Sequence, residues 1–169
     1  MGGAYPLPLS TFPSSMKAKT TYTPGLFDLA VRRSTAGLGL FTNSAIPKGA
    51  CVIEYVGRVL SKEEEYSSRS KYLFEVTKTK TIDGASRSNT ARYINHSCRP
   101  NCEIRIRGGQ VFVFAKRAIA AGEELSYDYE SDYFDAYIKP KGCRCAKCSA
   151  TAPKTKTTTR RVSGTRQTV

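Results

Sequence analysis

The sequence predicts a mainly β domain that is built of short strands and contains few helical turns. Ala50–Leu60 and Tyr72–Val76 are runs of β-branched and aromatic residues bounded by turn residues, and neither run is long enough for a core helix. In Glu103–Ala115, EIRIR alternates apolar and charged residues before Gly108-Gly109, and the apolar run QVFVFA follows them. That pattern is typical of a β-hairpin with a primed two-residue turn.

The remaining elements follow from local signals along the chain. Residues 1–24 mix Pro, Ser, Thr and Gly without a period and predict a flexible N-terminal arm. Ser61, with Glu64 three positions later, forms a capping-box pattern and predicts a short helix over about Ser61–Ser68. Residues 151–169 have no aromatic and no acidic residue and predict a disordered basic tail. The folded unit is therefore expected at about residues 25–150, as one domain of ordinary size.

Composition excludes some classes of protein. No stretch approaches the roughly 18 consecutive apolar residues of a membrane span. The N-terminus has neither the basic region nor the apolar run of a secretory signal, so an intracellular protein without a membrane partner is expected. Of the net charge of +13, seven charges lie in residues 1–24 and 151–169. This bias leaves open weak nucleic-acid contact through basic tails or a merely solvated basic surface.

Six cysteines in such a chain favour a metal site or reduced thiols over disulfides. Cys143, Cys145 and Cys148 form a C-x-C-x-x-C cluster that can give three thiolates to a tetrahedral zinc ion. Either Cys98 or Cys102 can supply the fourth ligand, and three reduced surface thiols are the alternative. Zinc closed by four sulfurs would be structural, because no coordination position remains for water.

His96 is the only histidine, which excludes mechanisms that need two histidines and most serine or cysteine triads. A lone histidine is more often structural than catalytic, but the neighbouring run, RYINHSCRPNC over Arg92–Cys102, is unusual for a β protein. Further along, Glu123–Asp135 holds six of the fourteen acidic residues and no basic one. That segment is either a negative groove for a basic peptide or a solvated acidic loop.

Three motifs occur in the order of a known family. RYINHSCRPNC, then ELSYDY over Glu124–Tyr129, then the C-x-C-x-x-C cluster resemble the SET-domain protein lysine methyltransferases with their post-SET zinc segment. Weaker matches to the family's first cofactor loop, early active-site strand and middle strands are Gly37–Phe41, Ile53–Gly57, Tyr72–Phe74 and Ile82–Gly84. The resemblance covers about Thr35 to Cys148. It implies a SET domain over 25–138, with a knot-like C-terminal segment, and a small post-SET zinc clip over 139–150.

The resemblance also implies a reaction and its residues. The family transfers a methyl group from S-adenosylmethionine to a lysine ε-amine, without a catalytic metal or a covalent intermediate. Tyr129 matches the catalytic tyrosine, and Tyr55 is expected to line the same lysine channel. Tyr127 matches the switch position, where Phe permits higher methylation and Tyr restricts it. A mainly monomethylating enzyme is therefore expected.

Cofactor and metal ligands are carried over in the same way. The implied cofactor contacts are three residues of the first loop, the Asn-His pair and three aromatic side chains: Gly37, Leu38, Gly39, Asn95, His96, Tyr72, Tyr133 and Phe134. The family's knot-like crossing implies that Cys98, and not Cys102, completes the zinc site with Cys143, Cys145 and Cys148. The cysteines of the last pair are separated by two residues here, where the family usually has four.

The expected substrate is a basic protein or peptide, such as a histone or histone-like tail. The expected location is the nucleus, on chromatin, or the cytoplasm, and a nucleoid or a host cell if the protein is bacterial. No cysteine-rich segment precedes Thr35, and the insert between Ser61 and Tyr72 is short, which leaves little surface for substrate selection. The alternative is a non-catalytic chromatin or nucleic-acid-binding module on a SET scaffold. The retained Tyr129, Asn95 and His96 argue against that alternative.

Overall fold

The computed structural model describes residues 22–151. Ten short strands dominate this part of the chain, so the mainly β prediction is confirmed. In chain order they are β1 Leu29–Ser34, β2 Gly37–Thr42, β3 Cys51–Tyr55, β4 Arg58–Leu60, β5 Leu73–Thr77, β6 Lys80–Asp83, β7 Asn95–His96, β8 Cys102–Arg107, β9 Gln110–Ala115 and β10 Ser126–Tyr127. The predicted arm over 1–24 and tail over 151–169 lie almost wholly outside the described residues.

The strands form four small sheets. Two have three strands, in the orders β3-β9-β8 and β4-β6-β5, and every neighbouring pair in them is antiparallel. The β1–β2 hairpin forms a third sheet, and β7 pairs with β10 in parallel as the fourth. Because a parallel pair cannot be closed by a tight turn, β7 and β10 come together only through the long connection that contains β8 and β9.

Two local predictions hold in detail. The predicted hairpin is formed by β8 and β9, and both Gly108 and Gly109 have positive φ, as a primed turn requires. The predicted helix is α1, Lys62–Ser67, in which the Ser61 hydroxyl accepts a hydrogen bond from the Glu64 amide and the Glu64 carboxylate accepts one from the Ser61 amide.

The run Ala50–Leu60 differs from a single strand. It divides into β3 and β4 at Val56-Gly57, because at Gly57 the backbone passes so close to the carbonyl of Asp83 that a Cβ there would collide with it. Gly37–Gly39, expected as a loop, instead form the first residues of β2, directly after the turn at Thr35-Ala36, and Gly37 has a φ of 126°. Only a residue without a Cβ adopts that conformation without strain.

The core lies between the small sheets. Leu40, Val52, Val111 and Val113 are among the buried side chains of its main cluster. On the other face of the β3-β9-β8 sheet, Phe112 and Phe114 form a second cluster with Cys51, covered by the ring of Tyr22. Cys51 thus packs as a small apolar side chain, in agreement with its place in an apolar run.

After β10 the chain changes from strands to short helical turns. They are α2 Ser131–Tyr133, a π-helical turn at Phe134–Ile138, a 3₁₀ turn at Lys139–Lys141 and α3 Ala146–Thr151. The sequence did not predict these turns individually, because each is shorter than one heptad and has no apolar period. Among residues 22–151, no helix is long and apolar enough to cross a membrane.

Candidate active site and metal centre

The β7–β10 pair joins two motifs that are about thirty residues apart in the chain. Asn95 lies opposite Ser126, and His96 lies opposite Tyr127. The Ser97 amide donates to the Tyr127 carbonyl at 3.0 Å, and the Tyr129 amide donates to Nδ1 of His96 at 3.1 Å. The parallel register therefore sets His96 directly against the segment that carries both tyrosines of ELSYDY.

Tyrosine rings line a cavity of about 270 Å³ at this crossing. Tyr55, Tyr127 and Tyr129 all contribute to its wall. The Tyr55 hydroxyl donates to the Tyr72 carbonyl, and the Tyr129 hydroxyl donates to the Ile94 carbonyl, each at 2.8 Å. The Tyr127 and Tyr129 rings lie 4.8 Å apart between centroids. The three residues that were expected to line one channel thus do share one cavity.

Burial keeps these phenols neutral. It raises the pKa of Tyr55, Tyr127 and Tyr129 above the ordinary value of about 10, because the charged phenolate loses its hydration. Burial also lowers the pKa of His96, against the opposing effect of the Asp128 carboxylate. At neutral pH the cavity therefore presents hydroxyl groups and apolar ring faces, without a phenolate that could act as a strong base.

A second cavity, of about 530 Å³, lies on the other side of this aromatic cluster. Its walls include five of the eight expected cofactor residues: Leu38, Tyr72, Asn95, His96 and Tyr133. Its volume falls within the range of about 300 to 1,000 Å³ that is usual for small-molecule pockets. Gly37, Gly39 and Phe134 are not among the described residues that line it.

The two cavities share a wall of aromatic side chains. Tyr72, Tyr129 and Tyr133 line both cavities. The Arg92 guanidinium, which also reaches both, lies 4.0 Å from the centroid of the Tyr72 ring, a cation–π arrangement that holds the ring in place. The Tyr133 hydroxyl donates to the Lys71 carbonyl at 3.2 Å and so ties the C-terminal turns to the segment before β5. Sequence reasoning overlooked Arg92, although it begins the RYINHSC motif.

The side chain of Asn95 connects β2 to the segment that precedes β10. Its amide group donates to the Leu38 carbonyl at 3.0 Å and to the Glu124 carboxylate at 2.7 Å. The same carboxylate accepts a hydrogen bond from the Ser34 hydroxyl at 2.8 Å. A Cβ at position 39 would collide with Glu124, so Gly39 is needed for this close approach. Glu124 is a site residue that the sequence offered only as part of an acidic run.

The four predicted metal ligands converge. The sulfur atoms of Cys98, Cys143, Cys145 and Cys148 all lie within 4.8 Å of one another. The Cys98 sulfur is 3.8 Å from that of Cys143 and 3.7 Å from that of Cys148. Zn–S bonds of about 2.3 Å in a tetrahedron would separate the sulfurs by about 3.8 Å. The donor set and its spacing therefore fit a structural zinc ion.

Cys102, the other candidate for the fourth ligand, lies elsewhere. It is fully buried in the main core at the start of β8. Its sulfur does not belong to the group of four that lie within 4.8 Å of one another, so it cannot share their metal ion. Cys98 thus joins the cluster, as the resemblance implied, and Cys102 does not.

The acidic segment 123–135 has more than one role. Glu123 pairs with Arg117 at 2.6 Å, and Asp135 pairs with Lys139 at 3.0 Å. Asp128 and Glu130 line the smaller cavity, together with two carboxylates from other elements and three basic side chains: Glu75, Glu103, Lys71, Arg92 and Lys116. The negative groove that the sequence suggested is thus reduced to a few carboxylates at the mouth of one cavity.

Comparison with known proteins bears on this arrangement. The family model of the SET domain matches residues 37–130. Histone-lysine N-methyltransferase trr of Drosophila melanogaster is 38% identical over 130 residues, which cover 69% of this chain and 5% of that protein. Histone-lysine N-methyltransferase trithorax of Drosophila virilis is 36% identical over 156 residues, 82% of this chain and 4% of that protein.

A fungal relative is similar to a comparable extent. The histone-lysine N-methyltransferase, H3 lysine-4 specific, of Mycosarcoma maydis is 42% identical over 126 residues, which cover 63% of this chain and 9% of that protein. The chain thus spans less than a tenth of the length of these relatives. The matched residues contain the RYINHSCRPNC motif, which includes the Asn-His pair, and the ELSYDY motif. The resemblance that the sequence suggested is confirmed, and the chain belongs to the SET domain family.

Proposed function

We propose that this chain is a protein-lysine N-methyltransferase that uses S-adenosylmethionine and acts on a basic protein tail. The observation that supports this most is the aromatic wall between the two cavities. One cavity is lined by phenols and is suited to a lysine side chain, and the other is lined by the Asn-His pair. The names of the relatives, all histone-lysine N-methyltransferases, support the same activity.

In this proposal the chain positions the substrate lysine side chain and excludes water from it. S-adenosylmethionine supplies an electrophilic methyl group. The rings of Tyr55, Tyr127 and Tyr129 exclude water from the lysine side chain, and their hydroxyls orient the amine. A free lysine amine has a pKa of about 10.4, and an apolar channel lowers it because the ammonium ion loses its hydration. The neutral phenols accept no proton, so we assign the amine's proton to solvent outside the channel.

The cofactor contacts follow the walls of the larger cavity. We assign the carbonyl of Leu38, the Asn95 and His96 pair and the rings of Tyr72 and Tyr133 to cofactor binding, on their places around that cavity. Gly37, Gly39 and Phe134 would act indirectly: the glycines by shaping the start of β2, and Phe134 by packing on the His96 ring at 5.0 Å. A zinc ion on Cys98, Cys143, Cys145 and Cys148 would hold the C-terminal turns in place.

The proposal extends to the methylation product and to the identity of the substrate. Tyr127 is buried beside Tyr129, where its hydroxyl occupies space that further methyl groups on the amine would need. We therefore propose mainly monomethylation. The names of the relatives suggest histones as the substrate and chromatin in the nucleus as the location. Contact of the basic termini with nucleic acid is a further proposal, which rests on charge alone.

Incubation of the full chain with isotopically labelled S-adenosylmethionine and separate core histones tests the activity and the substrate together. We expect one histone to acquire the label in its lysine-rich tail. A total cell extract, assayed in parallel, would reveal a basic substrate other than a histone. If the protein binds the cofactor but labels nothing in either sample, the chain acts as a binding module and the proposal is wrong.

A further inference from the structure

His96 lies between the two sites that the motifs define, and each of its ring nitrogens has a separate partner. Nδ1 is 3.1 Å from the backbone nitrogen of Tyr129, and Nε2 is 3.3 Å from the sulfur of Cys98. The His96 side chain is 5% exposed and packs against the rings of Tyr129 and Phe134. A single buried imidazole therefore contacts both the backbone of the proposed catalytic tyrosine and a proposed metal ligand.

The partners determine which nitrogen carries the proton. The Tyr129 amide can only donate a hydrogen bond, so Nδ1 must accept it. In a neutral imidazole the proton is then on Nε2, which points at the Cys98 sulfur and donates to it. A zinc-bound cysteine is a thiolate and can only accept. The two contacts are thus compatible with one tautomer, and the same tautomer suits a metal-loaded Cys98.

Asp128 is the other charged group that faces this ring. One of its carboxylate oxygens is 3.4 Å from Nδ1, and its side chain is largely exposed. The Tyr129 amide is closer to Nδ1 and lies two residues after the end of β10. Asp128 can hydrate freely, so it does not need the Nδ1 proton. The backbone contact therefore decides the tautomer.

We propose that His96 is a positioning residue that links the backbone of Tyr129 to the thiolate of Cys98. The link runs from the Tyr129 amide to Nδ1, across the ring, and from Nε2–H to the sulfur. It gives the post-SET metal a direct connection to the position of the catalytic tyrosine, in addition to its ordering of the C-terminal turns. This role rests on the proposed function, since that function makes Tyr129 catalytic and Cys98 a metal ligand.

Two substitutions separate the halves of the link. In His96→Asn, the short amide reaches the place of Nδ1 and can still accept from Tyr129, but the donor to Cys98 is lost. In His96→Gln, the longer amide reaches the place of Nε2 and can still donate to Cys98, but the acceptor for Tyr129 is lost. Asp128→Asn is the matched control for the carboxylate beside the ring. Thermal unfolding verifies that each variant is folded.

Two measurements on the full chain follow the two hydrogen bonds of His96 separately, and neither requires catalytic turnover. The thiolate-to-metal absorption band of the cobalt(II)-loaded protein reports on the Cys98 sulfur, because loss of a hydrogen bond raises the energy of the thiolate electrons. The protection of the Tyr129 amide against hydrogen exchange, measured in protein labelled with ¹⁵N-tyrosine and corrected for the preceding side chain, reports on the bond to Nδ1. Competition with a chelator gives the metal affinity.

We expect a crossed pattern. His96→Asn should move the cobalt band to lower energy and weaken metal binding by about tenfold or more, while the Tyr129 amide stays protected from exchange. His96→Gln should remove the protection of the Tyr129 amide and leave the cobalt band unchanged, and Asp128→Asn should alter neither readout. The proposal is overturned if both His96 variants change the same readout, if neither changes any, or if Asp128→Asn reproduces the band shift. Should the unmodified protein transfer no methyl group, the proposed function fails while these readouts still judge the link.

Discussion

At the scale of single residues, the tyrosines of the smaller cavity differ in what their hydroxyls contact. The hydroxyls of Tyr55 and Tyr129 each donate to a backbone carbonyl, whereas the structure records no hydrogen bond of this kind for the hydroxyl of Tyr127 among residues 22–151. The Tyr127 hydroxyl is thus the one of the three with no fixed backbone partner in that region. This difference makes it the group most able to contact a substrate nitrogen or an ordered water molecule.

Tyr127→Phe is expected to shift the product from monomethyllysine toward di- and trimethyllysine. The substitution removes one polar partner of the amine and leaves room for a methyl group, an effect of about 1 kcal/mol that changes product ratios several-fold. Mass spectrometry of a methylated peptide measures the ratios, with Tyr66→Phe on the exposed face of α1 as the control. Predominant trimethylation by the unmodified chain, or unchanged ratios in the variant, would place the restriction elsewhere in the channel.

Asn95→Ala is expected to weaken cofactor binding. The substitution removes the hydrogen bonds to Leu38 and Glu124 that fix one wall of the larger cavity. At about 1 kcal/mol for each bond, the dissociation constant for S-adenosylmethionine should rise about 5- to 30-fold. Titration calorimetry measures it, and Lys78→Ala in the exposed β5–β6 turn is the control. A dissociation constant equal to that of the control would remove Asn95 from the cofactor site.

At the scale of elements, the sequence predicts best where one short pattern decides the conformation. Gly108-Gly109 forces the turn of the β8–β9 hairpin, and Ser61 with Glu64 forces the start of α1. The sequence predicts the conformation poorly where a contact with a residue far away in the chain determines it. The break at Gly57 depends on the Asp83 carbonyl, 26 positions later in the chain, and the close approach at Gly39 depends on the Glu124 carboxylate, 85 positions later. No local pattern contains those partners.

The C-terminal turns are short, and we expect their stability to depend on a metal ion bound by the four-cysteine cluster. We expect one zinc ion per chain, and its removal by a chelator should disorder the segment after β10 and abolish activity. Cys148→Ser should lower the zinc content well below one per chain, whereas Cys51→Ala, at a buried thiol away from the cluster, should leave it unchanged. Elemental analysis measures both. An unmodified protein with far less than one zinc per chain would contradict the account.

At the scale of the whole molecule, the site is made by the crossing of β7 and β10. The motifs on these strands are visible in the sequence, and the family resemblance alone groups Asn95 and His96 with Tyr129, as the pairing of the strands does. Two contacts of the site could not be predicted from the sequence. They are the stacking of Arg92 on the Tyr72 ring in the aromatic wall and the hydrogen bond from Asn95 to the Glu124 carboxylate. Each of these contacts joins two segments that are 20 or more positions apart in the chain, and their distance in space depends on how the elements pack.

Buried phenols also make the stability of the fold depend on pH. Their pKa is raised in the folded protein, so the unfolded chain loses its phenolic protons first, above about pH 10. Stability from these groups is fully present below that pH and is lost as pH rises through the folded pKa. Urea unfolding at increasing alkaline pH should therefore show a falling free energy of unfolding. The fall should be shallower in Tyr127→Phe than in Tyr66→Phe, and equal slopes would contradict the burial of Tyr127.

We propose that methyl transfer takes place at Tyr129, in the wall between the two cavities. Single-turnover transfer of a labelled methyl group from S-adenosylmethionine to peptide lysine, in the unmodified chain and in Tyr129→Phe, tests this assignment. Calorimetry verifies that both bind the cofactor equally. We expect N-ε-methyllysine from the unmodified chain and a rate lower by about 100-fold or more in the variant. An equal rate in the variant, or no methyllysine from the unmodified chain with any basic substrate, would contradict it.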